Sequence, residues 1–427
     1  MACRSRALVR AAREATRPQA SRVRGTRGLA SPPATRARVD PTASVHPRAR
    51  LAPETAVGPF CVVSAGAVVG PGCRLGAGVH LLGDVELGAG CVLRSHAVVG
   101  AEVRRARRVA KEADGCVCAK TNNILSFFPS RHHPPHRLST TQSDDADAGV
   151  PKTENRDSSP SSTARTVLGA ACVLGPHAVV GAGARLGAGS ILGAGAFVAP
   201  GAVAGARARL GPGACAGPES NLGADVVMHA HAAVKHCDVG DGAVLHQHAS
   251  AGDDGFGFFL PGEDSSAETN DGEDGVEREL KRVSLKKKPQ TLRARIGAGC
   301  EIGAGSRVDR GSWRDTTLGE NTKLDNLVHV GHNARVGSNV MLCGGAAVGG
   351  SASLGDFVVM GGKAAVRDHA SVCAGARVAA KAGVTSDIRT PGDYAGFPAV
   401  PAARWRRAVA RRAREERRGG TRGTEER

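Results

Sequence analysis

In the stretch TKLDNLVHVGHNARVGSNV, His329 and His332 stand three residues apart, and Gly350 and His369 follow in VGGSAS and VRDHAS. An imidazole that is neutral near pH 7 can take the proton of an attacking amine. A backbone N–H at a glycine, with no side chain in the way, can receive the oxyanion of a tetrahedral intermediate. These are parts for acyl transfer to an amine. No covalent nucleophile is needed when the acyl group arrives as a thioester, which is already activated. Whether the parts meet depends on the elements that carry them.

Those elements are written in a period of six. From Val45 an aliphatic residue returns at Leu51, Val57, Val63, Val69, Leu75, Leu81, Leu87, Leu93 and Val99, usually followed by Gly. The pattern resumes from Leu168 to Val198 and again from Leu318 to Val384. Such a period is neither the 3.6 of a helix nor the alternation of a lone strand; it is the hexapeptide signature of a β-helix. The expected fold is an all-β solenoid, a parallel β-helix of hexapeptide repeats in which three hexads close a coil of 18 residues. Successive coils then lie about 4.8 Å apart. The aliphatic first place points inward, and so does a small fifth place, which Cys61, Cys73, Cys91, Cys172 and Cys300 occupy. Packing thus accounts for cysteines that form no C-x-x-C pair and no zinc spacing.

Composition agrees with a repeat: 58 Gly against 9 Phe, 2 Trp and 1 Tyr leave a core of small aliphatic side chains. No apolar run approaches the roughly 20 residues that span a bilayer, so no transmembrane segment is expected. The net charge of +17 is concentrated at the ends. Residues 1–50 hold 12 Arg and two acids, Glu14 and Asp40, the composition of an organelle transit peptide, read as mitochondrial with plastid as the alternative. The closing RWRRAVARRAREERR is a second basic cluster, and neither has the interleaved aromatics that stack on bases, so nucleic acid is not an expected partner.

The chain accordingly divides into a transit peptide or disordered leader (1–40), a first part of the β-helix (45–100) and a disordered insertion (101–165). A second part (166–260), an excursion loop (261–290), a third part carrying the site (291–389), and a C-terminal α-helix and tail (390–427) complete it.

Coil arithmetic now places the histidines. His332 is the third place of its hexad and His329 the last place of the preceding one; both face outward. Adding 18 to His332 gives Gly350, and adding 36 gives Asp368, neighbour of His369. One edge should carry His332, Gly350 and His369 over roughly 10 Å. A rival site lies in VMHAHAAVKHCDVGDGAVLHQH, which supplies His229, His231, His236, His246 and His248. There the register slips to 17, stacking His229 near His246 and His231 near His248. Three imidazoles with an open position would make a γ-carbonic-anhydrase-like zinc site, although solvated surface histidines are commoner in such a stretch and no metal is expected. An acetyl-CoA-dependent hexapeptide transferase and a non-enzymatic scaffold are the other readings of this fold.

DDGFGFF, VDRGSWRDTTLGENTKLDNLVHVGHNARVG, GGKAAVRDHASV and TPGDYAGFPAVPAARWRR resemble, in order and spacing, the UDP-3-O-(3-hydroxyacyl)glucosamine N-acyltransferases of lipid A biosynthesis, in their organellar plant and algal form. The resemblance covers roughly residues 230–407 and implies a left-handed winding, a homotrimer and sites between subunits. It implies transfer of a 3-hydroxyacyl group from acyl carrier protein to the 2-amine of an acylated UDP-glucosamine. Phosphopantetheine arrives on that donor, so no resident cofactor is implied. By motif the resemblance makes His332 the base, His369 an assistant at the acyl or phosphopantetheine end, and Gly350 the oxyanion donor. Asp325 and Asn326 match a polar pair that orients the base, and His329 matches nothing. Bacterial members carry a uridine-binding domain before the hexads; here the hexads begin at Val45, directly after the leader. Arg404, Arg406 and Arg407 suit docking of an acidic carrier protein.

Overall fold

The computed structural model describes residues 36–101, 165–259 and 285–420. Residues 1–35 of the 1–40 leader, nearly all of the 101–165 insertion and most of the 261–290 excursion fall outside those residues, while Arg38–Val39, near the end of the leader as read, forms a strand.

Each hexad makes one strand of two to four residues, spanning its last and first places, and one corner. Every third strand joins the same sheet. The first sheet begins with Arg38–Val39, the second with Ser44–Val45 and the third with Arg50–Leu51; they hold 16, 14 and 13 strands. Pairing is parallel, with partners one coil apart, as in Arg50↔Val68 and Val62↔His80. The ladder carries on across the undescribed 102–164, since Val92 pairs with Val173 and Glu86 with Val167. The insertion therefore leaves and re-enters between neighbouring strands of one coil. Regular pairing begins at Arg38, ahead of Val45.

The first and fifth places bury as the period requires. Val63, Leu81, Leu93, Leu174 and Val330 are almost inaccessible, as are Cys61, Cys73 and Cys91. The cysteines do more than fill space. Thr55, Cys73, Cys91, Cys172 and Ser190 stack on successive coils, and each donates its O–H or S–H to a corner carbonyl of the next, from Thr55 Oγ1 to Gly70 (3.2 Å) through Cys91 Sγ to Gly169 (3.2 Å) and Ser190 Oγ to Gly205 (3.1 Å). A small side chain with a weak donor satisfies a carbonyl that the tight corner leaves short of partners. The contact with Cys172 on the next coil, and burial after it, push the Cys91 thiol up to about 11 against the opposing contact with Cys73, which suits inert packing.

Two departures from the 18-residue coil shape the site. Between Leu222 and Val239 the register is 17. Between Val308 and Val330 it is 22, because Arg310–Asp315 add a short loop. A two-stranded antiparallel hairpin, Phe258–Phe259 with Lys286–Lys287, stands outside the three sheets. At the far end Gly392–Ala395 pairs parallel to Ala376–Val378, and Val400–Pro401 returns antiparallel to it. Helix α1 (Ala402–Gly420) follows. Among the described residues no helix is long and apolar enough to cross a membrane.

Candidate active site

His332 sits on the corner after the second-sheet strand His329–Val330, half-buried. One coil on, Gly350 lies beneath its ring: a Cβ on Gly350 would meet His332 Cε1 and Nε2 at 2.9 Å. His369 is the next rung, its backbone N–H donating to the Gly350 carbonyl at 3.0 Å. The structure thus brings His332, Gly350 and His369 to one edge, as the coil arithmetic expects. The Gly350 N–H donates to no group of the chain among the described residues. It remains available to a ligand.

On its other side the His332 ring meets Gly255 of DDGFGFF, where a Cβ would come within 2.5 Å of His332 Cβ and 2.7 Å of Cδ2. Only glycine allows the loop this close. The loop then turns into the Phe258–Phe259 hairpin, bringing Lys288 near the imidazole. Phe256 is 87% exposed beside the site and packs edge-on against Phe258 with centroids 5.0 Å apart. Burial holds the His332 imidazolium below its usual range, the charges of His369, Lys288 and His329 lower it further, and the Phe256 carbonyl opposes them. At neutral pH the ring is neutral.

The side chain that orients His332 is Asn333, which the motif reading does not single out. Asn333 Nδ2 lies 2.7 Å from His332 Nδ1. Its amide is 1% exposed and held by the extra loop: Oδ1 accepts from the backbone N–H of Ser312 at 2.7 Å and of Trp313 at 3.3 Å. Arg314 Nε donates to the Asn333 carbonyl at 2.7 Å, and Nη2 to Ser351 O at 2.9 Å, tying the loop to the coil below. A sequence signal for this existed: Val308 is followed by Leu318, ten positions on where six were due.

Asp325 and Asn326 stand on a different corner, after the first-sheet strand Lys323–Leu324. Asp325 accepts from the N–H of Asn326 at 2.7 Å and of Gly344 at 2.9 Å, and Asn326 Oδ1 accepts from Ala304 N–H at 2.7 Å. Both stabilise corner backbone. Within the described chain they make no bond to His332; the side chain that does is Asn333.

His329 faces Asp309, Nε2 to Oδ2, at 3.7 Å. The carboxyl is pushed up to about 7 by burial and by Asp253 and Asp254, while burial lowers His329. Both shifts oppose charge, so the contact is close to neutral and is no strong ion pair.

The histidines of the rival site stack as the spacing of 17 requires. His229 and His246 lie 5.1 Å apart and 10° from parallel, and His231 and His248 lie 5.2 Å apart and 6° from parallel. Rings stacked face to face aim their nitrogens side by side and do not converge on one ion. His246 Nε2 instead meets Glu301 at 2.8 Å, and His236 Nδ1 meets Glu219 at 3.1 Å. Among the described residues no cluster of three or more such ligands could hold a metal. Arg404, Arg406 and Arg407 are exposed on helix α1.

With the geometry in place, comparison with known proteins gives three findings. Residues 66–101 match the bacterial transferase hexapeptide family (six repeats). A 179-residue segment, 42% of this chain, is 38% identical to a probable UDP-3-O-acylglucosamine N-acyltransferase 2, mitochondrial, of Arabidopsis thaliana. The relative bears the name of the family that the motifs resemble. The chain spans about half the length of that relative, 53%. Solved structures related at lower identity include LpxA of Acinetobacter baumannii, at 21% identity over 48% of this chain and 70% of that one, with a TM-score of 0.39. A UDP-N-acetylglucosamine acyltransferase of Arabidopsis is 13% identical over 84% of this chain and 71% of its own, with a TM-score of 0.25. Superpositions this loose support no conclusion about the site, which rests on the chain's own geometry.

Proposed function

We propose that the chain is an N-acyltransferase of the lipid A type, moving a 3-hydroxyacyl group from acyl carrier protein to the 2-amine of a UDP-3-O-acylglucosamine. The observation that carries this reading is the edge of His332, Gly350 and His369, a neutral imidazole packed on a glycine whose N–H donates to nothing among the described residues, with a second imidazole one rung away. The amine attacks the thioester carbon, the carbonyl electrons pass to oxygen, and collapse breaks the C–S bond and releases the carrier thiol. An imidazole of the edge receives the amine's proton. The similarity to a named N-acyltransferase supports an amine as acceptor.

Partners follow from surfaces. Helix α1 has no acidic residue in its first turn and exposes Arg404 there, with Arg406 and Arg407 exposed just beyond it. Cations at a helix N-terminus oppose the macrodipole, and an acidic carrier protein would relieve that conflict. Leu327 (72% exposed) and Met341 (50%), on neighbouring coils beside the first sheet, give a face suited to burial between subunits of a homotrimer. The mitochondrial name of the relative and the Arg-rich leader support a mitochondrial location.

The test is an acyl transfer assay on the full chain with 3-hydroxyacyl carrier protein and acylated UDP-glucosamine. Turnover is expected, and His332→Ala should lower it by about two to four orders of magnitude. A folded chain with no turnover on this pair would overturn the reading.

A further inference from the structure

Cations cluster around this edge, and carboxylates hold several of them. Lys287 Nζ and Arg310 Nε both bind Asp254, at 3.0 and 2.8 Å, Lys235 meets Asp253 at 2.8 Å, and Arg293 meets Asp238 at 2.8 Å. Among the described residues these ion pairs leave Lys288 out. Lys288 is half-buried, its backbone N–H donates to Gly257 O at 2.9 Å, and its Nζ lies over the Phe259 ring, 5.0 Å from the centroid. Gly257 is two residues from Gly255, which lies against the His332 ring, so one short turn separates the lysine from the imidazole. The imidazole registers that charge: burial lowers its protonation first, then His369 and Lys288. Two residues past Lys288, Gln290 is 3% exposed and its Oε1 has no hydrogen-bond partner among the described residues. The segment after the excursion thus brings to the edge an ammonium without a counter-charge and an unused acceptor. Both are costly states that a bound ligand would relieve.

Both substrates of the proposed reaction carry phosphate, and counting bonds separates them. In a 2-amino sugar with a phosphate on C1, four bonds of about 1.5 Å each join nitrogen to phosphorus, which keeps the two within about 5 Å. In the phosphopantetheine arm more than a dozen bonds lie between the thioester carbon and the phosphate. When the amine stands at His332, the sugar's phosphate must be beside it, whereas nothing holds the arm's phosphate there. We infer that Lys288 binds the phosphate on C1 of the acceptor sugar, so that reading the sugar 1-phosphate and delivering the amine to His332 are one event. This rests on the acyl-transfer reading above and names the group that selects its acceptor. Lysine acts on the phosphate as a point charge, the Phe259 ring holds it in place, and Gln290 Oε1 is left to accept from a sugar hydroxyl.

The test is steady-state kinetics of Lys288→Met, which keeps the apolar stem, and Lys288→Arg, which keeps the charge. The Met variant should raise KM for acylated UDP-glucosamine by about ten- to a hundredfold and leave KM for the 3-hydroxyacyl carrier protein as in the parent, and the Arg variant should recover most of the loss. An acceptor with a methyl group in place of the nucleotide should be equally poor with parent and Met variant, because both deletions remove the same interaction and do not add. An unchanged acceptor KM in a folded Met variant, or a rise in the carrier's KM instead, would overturn the inference. If the parent transfers nothing, calorimetry with UDP-glucosamine tells the two failures apart. Binding weakened by Lys288→Met keeps the phosphate site and sinks only the reaction; binding indifferent to it sinks the site.

Discussion

Gly350 lies one coil below His332, so close that a single methyl group on it would come within 2.9 Å of the ring's Cε1 and Nε2. The glycine keeps its N–H open and lets the imidazole lie flat over the corner. Its backbone is not in the left-handed region, so alanine is conformationally allowed there, and the obstacle is the ring alone. We expect Gly350→Ala to fold with nearly parental stability yet lower acyl transfer by about a hundredfold, the usual cost of displacing a catalytic group by about 1 Å. Stopped-time assays beside urea melts would separate the two effects. A fully active variant would remove Gly350 from the oxyanion pocket.

A pH dependence follows from Asp309. Its folded pKa of about 7 lies above the ordinary carboxylate value of 3.8, so the native state holds the proton more tightly than the unfolded chain. The contribution to stability is therefore complete in acid and is lost as pH rises to about 7. Asp309→Asn should be more stable than the parent at pH 8, where the parent must bury a carboxylate beside Asp253 and Asp254. Near pH 4 the two should be alike. Denaturant titrations at both pH values decide it, and equal stability at pH 8 would contradict the raised pKa.

The exposed arginines of helix α1 make a third expectation. Arg406→Glu with Arg407→Glu should weaken carrier-protein binding, most at low ionic strength, because the contact is between exposed charges. Light scattering or calorimetry across a salt series would show it. The same substitutions place acids nearer the helix N-terminus, which favours the helix, so lost affinity could not be blamed on unfolding. Unchanged affinity at low salt would leave helix α1 without this role.

The architecture was legible because its signal is one-dimensional: a place buried in one hexad is buried in all, so Val45 to Val99 predict one another and His332, Gly350 and His369 fall into line. What escaped the sequence were contacts that break the period. Asn333 reads as an ordinary corner residue until the four extra residues after Val308 curl back to bond its amide. Gly255 reaches His332 from 77 positions away, across an excursion whose path no periodicity describes. Asp325 and Asn326, adjacent in a family motif, serve the corner they stand on. In a solenoid the repeat reports the stack, and function gathers where the repeat is interrupted.

Parallel pairing between identical coils carries a hazard that the C-terminus answers. The ladder that joins each coil to the next is self-complementary, so a sheet ending at Ala376–Val378 would present the bonding groups that another molecule's coil could extend, and growth would have no natural length. Here Gly392–Ala395 takes that edge, and the chain then reverses so that Val400–Pro401 is the outermost strand. Its direction is wrong for a further parallel coil, and Pro401 offers no N–H. For the first of the three sheets these few residues are a chain terminator in the polymer sense, an end group that a further coil cannot extend.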